Sequence, residues 1–419
     1  MKAITGDVLD VNGLRRDMAV LIEGEHIADV VPRERLGEYG VDEVFEGDLI
    51  IPGLVNAHTH VAMAKFRGLG EGLSTAQWLE RVIWPMEREW TEKDVERWAL
   101  LGIAEALSNG STTINDHYFF AEGIARAAKR LGIRAFIGQT VMDVVDFPLA
   151  APEKGFRFFR RWKGKDELVR PVMAPHATNT VSLELMRDIG DFARENGALI
   201  HIHLAQSEEE VREVRKRYEL RPVEYLNEAG VLGENLIGVH GVYLGEDELA
   251  LLGKARSTLV HCPTSNLRLE KKTINIAALR RMGVRTALGN DSPNPVGLMD
   301  PFREMFVAAL AASAAGRYLS PRDVFEMATL EGARALGIRA GLVERGYLAD
   351  LVVLNTRKPQ FLPGEDPFSH ILYSTRGSDV EMVFVGGEPV YEQGFFPGLG
   401  KRVEELTSQF SSRAPSSGE

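Results

Sequence analysis

The chain has a single cysteine, Cys262, among its 419 residues, so it can form neither an internal disulfide nor a metal site built on several thiolates. It also lacks an unbroken apolar run of about 18 residues, the length that crosses a membrane as a helix. Its first ten residues lack the basic and apolar segments of a secretory signal. These absences predict a cytoplasmic protein with no membrane partner, and they leave any metal to His, Asp or Glu.

Positive charge is also scarce, because 60 Asp and Glu residues face 49 Lys and Arg residues, for a net charge of -11. A phosphate backbone is repelled by such a surface on average, so we expect no nucleic-acid partner. The hydrophobic share of 44% is typical of a globular protein with a sizeable core. The number of subunits stays open, with a homo-oligomer among the options.

Both ends of the chain are rich in strand-like segments. Residues 19–22 and 26–31 flank the turn at 23–25, as in a hairpin, and residues 350–354, 380–385 and 388–391 form similar runs. Neither end is long enough for a stable sheet alone, so we predict that residues 1–50 and 346–400 pair into one small β-sandwich domain. Residues 401–419, which end in SSRAPSSGE, are predicted to be a frayed C-terminal tail.

Residues 51–345 alternate apolar β-type runs with amphipathic helices such as 92–109, 121–131, 183–196 and 208–219. The eight apolar runs are 49–56, 111–115, 134–141, 172–175, 198–204, 236–239, 257–260 and 284–288. Eight such units predict an α/β fold, a (β/α)8 TIM-like barrel. A doubly wound open sheet is the alternative, but no Gly-rich phosphate turn follows the first strand.

Histidines mark the strand ends of this barrel, where active sites of the fold form. All ten except His26 and His370 lie on or just after a predicted strand. His58 and His60 project to one side of an extended segment and can reach one cation, a weak signal by itself. His203 at the end of the fifth strand adds an imidazole, and Asp291 after the eighth adds a carboxylate. This donor set suits a divalent metal, with zinc favoured and iron the alternative.

His240, at the end of the sixth strand, is either a fourth nitrogen ligand or a neutral imidazole that hydrogen-bonds metal-bound water, and we favour the second. A divalent cation can lower the pKa of its water to about 7, and a nearby carboxylate can accept the proton. Asp291 is the best candidate for this base. A core role for His240 and a helix-cap role for Asp291 do not explain why both lie at strand ends.

Several motifs resemble the amidohydrolase superfamily. They are residues 52–60 (PGLVNAHTH), 203–205 (HLA), His240 and 289–291 (GND). Three further stretches resemble its branch of methylthioadenosine/S-adenosylhomocysteine deaminases and chlorohydrolase-like enzymes: 78–87 (WLE and IWPME), 174–176 (APH) and 262–267 (CPTSNL). The resemblance covers nearly the whole chain, since residues 346–352 (GYLADLV) are similar to the family's return into the β-domain.

The resemblance implies one catalytic metal, because no lysine follows the fourth strand where two-metal members carry a bridging residue. Its ligands are His58, His60, His203 and Asp291, with His240 orienting the attacking water. The predicted substrate contacts are Glu87 on ribose hydroxyls, His176, His117 and Trp84. Without the resemblance, Glu87 is interpreted as an exposed helix residue and His176 as a strand-end cap, and a packed structural role for His117 fits the sequence equally well.

One position departs from the branch, whose deaminases carry a proton-shuttling glutamate three residues after the fifth-strand histidine. Here the residue is Gln206, whose amide can hydrogen-bond a substrate but cannot deliver a proton. Loss of a general acid typically costs about 10²–10⁴ in rate. Three explanations stay open. Glu208 or another carboxylate takes the place of the missing glutamate, Asp291 handles both proton transfers, or the protein acts on a different bond or on none.

We therefore expect a metal-dependent hydrolase that deaminates a purine nucleoside or a related aminated heterocycle, a small-molecule substrate. Metal-bound hydroxide would attack the amino-bearing ring carbon, with Asp291, His240 and Gln206 at the reaction centre. Two alternatives stay open. One is hydrolysis of a ring amide or a halogenated heterocycle, and the other is a non-catalytic nucleoside-binding protein.

Overall fold

The computed structural model of the protein describes residues 1–411. In chain order its strands are β1 (Lys2–Asp10), β2 (Gly13–Glu23), β3 (His26–Pro32), β4 (Glu43–Pro52), β5 (Leu54–Thr59), β6 (Ser111–Tyr118), β7 (Arg134–Val141), β8 (Val169–Pro175), β9 (Ile200–Leu204), β10 (Leu236–His240), β11 (Thr258–His261), β12 (Arg285–Leu288), β13 (Leu351–Leu354), β14 (Val380–Val385), β15 (Glu388–Glu392), β16 (Phe395–Phe396) and β17 (Lys401–Arg402).

The α-helices are α1 (Thr75–Trp78), α2 (Trp84–Glu87), α3 (Glu92–Ser108), α4 (Ala121–Leu131), α5 (Pro152–Trp162), α6 (Leu183–Asn196), α7 (Glu208–Tyr218), α8 (Pro222–Glu228), α9 (Glu246–Lys254), α10 (Pro263–Leu269), α11 (Ile276–Arg281), α12 (Pro293–Val296), α13 (Pro301–Ala314), α14 (Pro321–Ala328), α15 (Leu330–Ala335), α16 (Pro367–Ser369) and α17 (Val403–Ser411). None of these helices in residues 1–411 is both long and apolar enough to cross a membrane.

Strands from the two ends of the chain form one sheet, in the order β17-β16-β15-β14-β13-β4-β1-β2-β3. The two ends meet where β4 pairs antiparallel with β13, and β1 and β4 are the parallel pair of the sheet. The sheet curls back on itself: the backbone N–H of Ile27, on the edge strand β3, donates to the carbonyl of Tyr347, just before β13, at 2.9 Å. Its inner face buries an apolar core that includes Ile4, Val20 and Phe384. The predicted pairing of the two termini is confirmed.

The second sheet contains β5 to β12 in sequential order, and all neighbouring strands are parallel. It closes where the backbone N–H of Asp291 donates to the carbonyl of His58 at 2.9 Å. Gly289 allows this close approach, since a Cβ there would lie 2.9 Å from the His58 nitrogen. The predicted (β/α)8 barrel is confirmed. The division of the chain into residues 1–50 with 346–400 and residues 51–345 stays a prediction.

The first barrel strand differs from the expectation of a single run at 49–56. Pro52 ends β4 in the terminal sheet, and Leu54 begins β5 in the barrel. Between them Gly53 passes so close to the neighbouring strand that a Cβ would lie 2.1 Å from the Thr112 hydroxyl oxygen. The apolar run is therefore shared between two sheets, and its continuous hydrophobicity conceals the break.

The expectation of a frayed tail from residue 401 is wrong for residues 401–411, which form β17 and α17. Leu406 is buried, and the ring centroid of Phe410 lies 4.9 Å from that of Trp98 on α3. Apolar contacts with the barrel's outer helix therefore order this segment. The remainder of the predicted tail, 412–419, lies outside the described residues.

Candidate active site

The carboxyl ends of the barrel strands bring the four predicted metal ligands together. An oxygen of Asp291, Oδ1, lies 3.5 Å from Nε2 of both His58 and His60. His203 Nε2 lies 3.2 Å from His60 Nε2. All four side chains are buried. Residues that are up to 233 positions apart in the sequence therefore share one small volume at the mouth of the barrel.

Backbone carbonyls fix the tautomers of two of these imidazoles. Nδ1 of His60 bonds to the carbonyl of His117, and Nδ1 of His203 bonds to the carbonyl of His176 at 2.7 Å. A carbonyl oxygen only accepts, so each Nδ1 carries the proton and each Nε2 presents a lone pair. Burial lowers the pKa of both imidazoles, which keeps them neutral. Two lone pairs therefore face each other across 3.2 Å.

His58 is the third imidazole of the cluster. Its Nδ1 lies 2.8 Å from Nε2 of His201, so His201 supports this ring from deeper in the barrel. Its Nε2 has no hydrogen-bond partner within residues 1–411, and burial lowers the pKa of His58 to about 3. Three neutral imidazoles and a carboxylate thus converge, and Nε2 of both His60 and His203 carries no proton. One divalent cation satisfies all four, and nitrogen and carboxylate ligands suit zinc or iron.

Helix α10 supplies hydrogen-bond partners for Asp291 and His240, the two residues predicted to act on the attacking water. The hydroxyl of Ser265 donates to Oδ2 of Asp291, and Oδ1 of Asn266 lies 2.9 Å from Nδ1 of His240. Nε2 of His240 has no partner in the described part of the chain. Burial alone would raise the pKa of Asp291, but the neighbouring imidazoles lower it by more, so Asp291 is a carboxylate.

Backbone strain marks these same two residues. Asp291 has φ 63° and His240 has φ 76°, left-handed conformations that cost a residue other than glycine about 1–3 kcal/mol each. The closure of the barrel at His58 and the bonds from α10 impose these conformations.

A cavity of about 430 Å³ opens beside the cluster. It is lined by all five residues that the sequence placed near the substrate: Trp84, Glu87, His117, His176 and Gln206. Its volume is within the range of ordinary small-molecule sites. The ring centroid of Trp84 lies 6.5 Å from that of His176, so an aromatic face and an imidazole share one end of the cavity.

Glu87 is buried, with 3% of its surface exposed, although its sequence context alone indicates an exposed helix residue. It lies at the end of α2, in the helical segment of residues 75–87 that folds over the barrel mouth. It accepts a hydrogen bond from the Tyr118 hydroxyl at 2.6 Å. Burial raises the pKa of Glu87 to about 7, against the opposing effect of that bond. The second oxygen is available to a ligand with hydroxyl groups.

Two further imidazoles face the cavity. His176 is half-buried, and its Nδ1 lies 2.9 Å from the Thr180 hydroxyl. His117 is 1% exposed, its ring centroid lies 4.8 Å from that of His203, and neither of its nitrogens has a partner within residues 1–411. A buried polar group without a partner is costly unless a ligand satisfies it, so His117 is positioned to bind one, and His176 keeps its Nε2 for a ligand in the cavity.

The surroundings of Gln206 correct one expectation. Glu208, the named substitute for the missing glutamate, is exposed and lies off the cavity, whereas Glu210 is buried and lines it. Glu210 accepts hydrogen bonds from the Thr178 hydroxyl at 2.6 Å and from the backbone N–H groups of Ala205 and Gln206 at 3.0 and 2.8 Å. Its oxygens are therefore engaged in holding the turn that carries Gln206.

Four residues of the site had no role from sequence reasoning: Tyr118, Glu210, Ser265 and Asn266. The last two lie in the stretch 262–267 already singled out by resemblance, so that motif was their signal. Glu210 lies three residues after Ser207, whose hydroxyl caps α7. This spacing indicates a capped helix start, but it does not show that the carboxylate turns back toward the strand end.

Comparison with known proteins identifies the family of the chain. The profile of the amidohydrolase family matches residues 49–390. A 5-methylthioadenosine/S-adenosylhomocysteine deaminase from Pyrococcus furiosus is 39% identical over 372 residues, which cover 86% of this chain and 87% of the relative. A 5'-deoxyadenosine deaminase from Methanothermobacter thermautotrophicus is 39% identical over 400 residues, which cover 93% of this chain and 93% of the relative.

Among solved structures, an adenosine deaminase from Xanthomonas campestris with bound zinc superposes with a TM-score of 0.92 at 29% identity, covering 97% of this chain and 96% of its own. The similarity thus extends through both the barrel and the terminal sheet. Its zinc agrees with the donor set of the histidine cluster. The chain belongs to the amidohydrolase family.

Proposed function

We propose that the protein is a metal-dependent hydrolase that deaminates an adenine nucleoside, releasing ammonia. The observation that carries the proposal is the fixed tautomer of His60 and His203, which turns their Nε2 lone pairs toward each other, with Asp291 Oδ1 3.5 Å from Nε2 of His60. Such a cluster needs a cation. The deaminase names of relatives with 39% identity and the cavity beside the cluster support an aminated nucleoside as the substrate.

His58, His60, His203 and Asp291 would hold one divalent metal, with zinc favoured and iron the alternative. When bound, such a cation lowers the pKa of water to about 7 and supplies a nucleophile at neutral pH. His201 keeps the His58 ring oriented by bonding its other nitrogen. His240, whose Nε2 is free within the described residues, orients the water.

Asp291 carries the proton transfers in this proposal. Its carboxylate accepts the proton of the attacking water as the oxygen bonds to the ring carbon. The electron pair of the adjacent ring bond moves to the ring nitrogen, which takes that proton. A second proton, from the new hydroxyl, reaches the amino group by the same carboxylate, and ammonia leaves as the carbonyl forms. Gln206 hydrogen-bonds the ring nitrogen but supplies no proton.

The other cavity residues recognise the nucleoside. The free oxygen of Glu87 accepts hydrogen bonds from the ribose hydroxyls, and Trp84 provides an aromatic face. His176 and His117 offer ring nitrogens to the base. In this arrangement the base and the ribose occupy the buried end of the cavity.

Gln206 favours a second candidate function, hydrolysis of a ring amide or a halogenated heterocycle. A halide leaves without protonation, so the lack of a proton-donating glutamate matters less there. The two functions differ in product, since only deamination of the nucleoside releases ammonia.

The test measures ammonia release from adenosine, methylthioadenosine and S-adenosylhomocysteine by the zinc-loaded protein, beside the variant Gln206→Glu. We expect turnover by the native chain, because Asp291 serves both transfers, and an increase in kcat for Gln206→Glu of about 10²-fold, the lower end of what a general acid contributes. Gln360→Glu is the matched control, because Gln360 is exposed and the added carboxylate does not line the cavity.

A native chain that releases no ammonia from any of the three nucleosides would reject the proposal. If Gln206→Glu alone is active, the native chain is not a deaminase of these compounds. Release of chloride from a chlorinated heterocycle by the same native preparation would then favour the second candidate.

A further inference from the structure

We infer that Glu304 is a positioning residue for the reaction centre, because it fixes the start of helix α10, whose side chains bond Asp291 and His240. The inference rests on the proposed function, since it takes Asp291 and His240 to act on the attacking water. Glu304 belongs to α13 and does not line the cavity. It therefore acts on the reaction only through other residues of the chain.

Helix α10 lacks a side-chain acceptor at its own start. It is seven residues long, and the side chain of Cys262, which precedes it, makes no capping bond. Its first residue, Pro263, has no N–H, and the N–H of Asn266 bonds the carbonyl of Cys262 at 3.0 Å. The N–H groups of Thr264 and Ser265 have no acceptor within the helix. Because a helix this short gains little stability from its own backbone bonds, contacts from outside fix its position.

Glu304 supplies the missing acceptor. Its Oε2 accepts a hydrogen bond from the N–H of Thr264 at 3.2 Å, and Glu304 is only 1% exposed. Loss of an acceptor at such a buried position leaves the N–H group unsatisfied, which is costly because water cannot replace the acceptor. Burial raises the pKa of Glu304 to about 8, against the opposing effect of its bonds to Thr264. At neutral pH the carboxyl is therefore mostly protonated, and it can accept this bond without a buried charge.

The two residues after Thr264 connect this bond to the reaction centre. The hydroxyl of Ser265 donates to Oδ2 of Asp291, and Oδ1 of Asn266 lies 2.9 Å from Nδ1 of His240. All of these side chains are buried. Because residues 264–266 belong to one helical turn, a shift at Thr264 displaces both contacts at once.

Asp291 and His240 are sensitive to such a displacement. Both have left-handed backbone conformations, which persist only where the surrounding contacts impose them. The bond from Ser265 also holds the Asp291 carboxylate whose other oxygen faces the histidine cluster. The amide oxygen of Asn266 only accepts, so Nδ1 of His240 carries the proton and Nε2 is left as an acceptor. Glu304 thus affects the proton carrier and the water-orienting imidazole together.

The test measures kcat and KM for adenosine, methylthioadenosine and S-adenosylhomocysteine with the zinc-loaded full-length protein and its Glu304 variants. Glu304→Gln keeps an oxygen that accepts from Thr264, so its kcat should stay within about twofold of the native value. Glu304→Met has a similar size but no comparable acceptor. Its kcat should fall about 10²-fold, as for a small misplacement of reacting groups. Its KM should stay within about twofold, because Glu304 does not contact the substrate.

A third variant, Glu304→Asp, keeps the carboxyl group but shortens its reach by one methylene. Its kcat should fall about tenfold, and it takes the place of Glu304→Met in the comparison if the methionine variant does not fold. Hydrogen exchange in the metal-free protein gives a readout that does not depend on turnover. The amides of α10 should exchange about tenfold faster in Glu304→Met than in the native chain or in Glu304→Gln.

Glu248→Met is the matched control. Glu248 is also 1% exposed, accepts a hydrogen bond from the backbone N–H of Val223 at 3.1 Å, and does not line the cavity. Its substitution removes a buried acceptor from another helix start, so it should lower the free energy of unfolding but leave kcat within about twofold of the native value.

A double variant of Glu304→Met with Ser265→Ala tests the route of the effect. If Glu304 acts through the bond from Ser265 to Asp291, the loss of kcat in the double variant should be smaller than the product of the two single losses. Independent roles would give the full product.

A native kcat in Glu304→Met, or a loss that Glu248→Met shares, would overturn the inference and leave the proposed function intact. Equal losses in Glu304→Gln and Glu304→Met would also overturn it, because the hydrogen bond to Thr264 would then not be the cause. So would losses that multiply fully in the double variant. Absence of ammonia release by the native chain would instead reject the proposed function, and the inference with it.

Discussion

At the amino end of the barrel, Arg134 from β7 and Asp350 from the terminal sheet form an ion pair that is 1% exposed on both sides. Two guanidinium nitrogens of Arg134 bond the two carboxylate oxygens at 2.8 and 3.1 Å, and the backbone N–H of Gly386 adds a bond of 2.7 Å. At the carboxyl end, the side chains of His58, His60, His203 and Asp291 meet, and Nε2 of both His60 and His203 carries no proton.

Both clusters are buried and polar, but they differ in what satisfies them. The amino-end pair is complete within the chain and joins the barrel to the terminal sheet, so it contributes to a single fixed arrangement of the two. In the proposed function, a cation completes the carboxyl-end cluster. Buried polar groups that lack partners are therefore the better guide to function, and those with partners are the better guide to stability.

The largest expected effect comes from Asp291→Asn, which keeps the shape and tolerates the left-handed backbone but removes the charge. We expect kcat/KM to fall about 10⁴-fold, because one substitution removes both a metal ligand and the proton carrier. The free energy of unfolding of the metal-free protein should fall only modestly, because asparagine keeps an oxygen that can accept from the Ser265 hydroxyl or the Ser292 backbone N–H. Ammonia release and urea unfolding check the two expectations.

The control for this substitution is Asp188→Asn, at an exposed position on α6, which should leave both quantities unchanged. If Asp291→Asn keeps its activity and its metal, Asp291 is neither a required metal ligand nor the proton carrier. A large loss of stability would show that the carboxylate serves the fold, like its counterpart at the amino end.

The opposite result is expected for Arg134→Met. It leaves the Asp350 carboxylate buried and unpaired, which typically costs about 3–5 kcal/mol in the free energy of unfolding. The folded variant should retain its metal and its kcat/KM, because the pair lies at the other end of the barrel. Arg256→Met, which breaks an exposed pair with Glu234, should cost less than about 1 kcal/mol. Equal losses in the two variants would contradict the comparison.

A smaller effect is expected from pH at Glu87. Burial raises the pKa of Glu87 to about 7, so the carboxylate form increases as the pH rises through that value. The carboxylate accepts hydrogen bonds from ribose hydroxyls and the protonated form has one acceptor fewer. KM for adenosine should therefore decrease with rising pH, and Glu87→Gln should remove this dependence and raise KM at high pH about tenfold.

The control is a nucleoside without the hydroxyls. KM for 2′,3′-dideoxyadenosine should show no dependence on pH around neutrality in the native chain. The same pH dependence for both nucleosides would assign it to another group and leave Glu87 without its proposed role.

The sequence predicts the barrel well because each strand is a short apolar run followed by an amphipathic helix, as β7 and α4 illustrate. The histidines that could meet at one barrel mouth were also identifiable, because side-chain alternation and strand ends place them there. The break at Gly53 was not predictable from hydrophobicity, since apolar residues continue on both sides of it.

The rest of the site depends on contacts between distant segments. Glu87 is polar and lies on a short helix, and only the folding of that helix over β6 places Tyr118 against it and buries it. In the sequence Glu210 resembles any glutamate at a helix start. Only the folded turn at Ala205 brings two backbone N–H groups to its carboxylate. The order of α17 likewise depends on Phe410 meeting Trp98, a contact between residues 312 positions apart.

An anomalous difference map recorded at the zinc edge, from crystals of zinc-loaded protein, tests the central claim most directly. The account predicts one peak about 2.0–2.2 Å from Nε2 of His58, His60 and His203 and from an oxygen of Asp291. A map with no peak in this cluster, or with zinc bound by other residues, would contradict it.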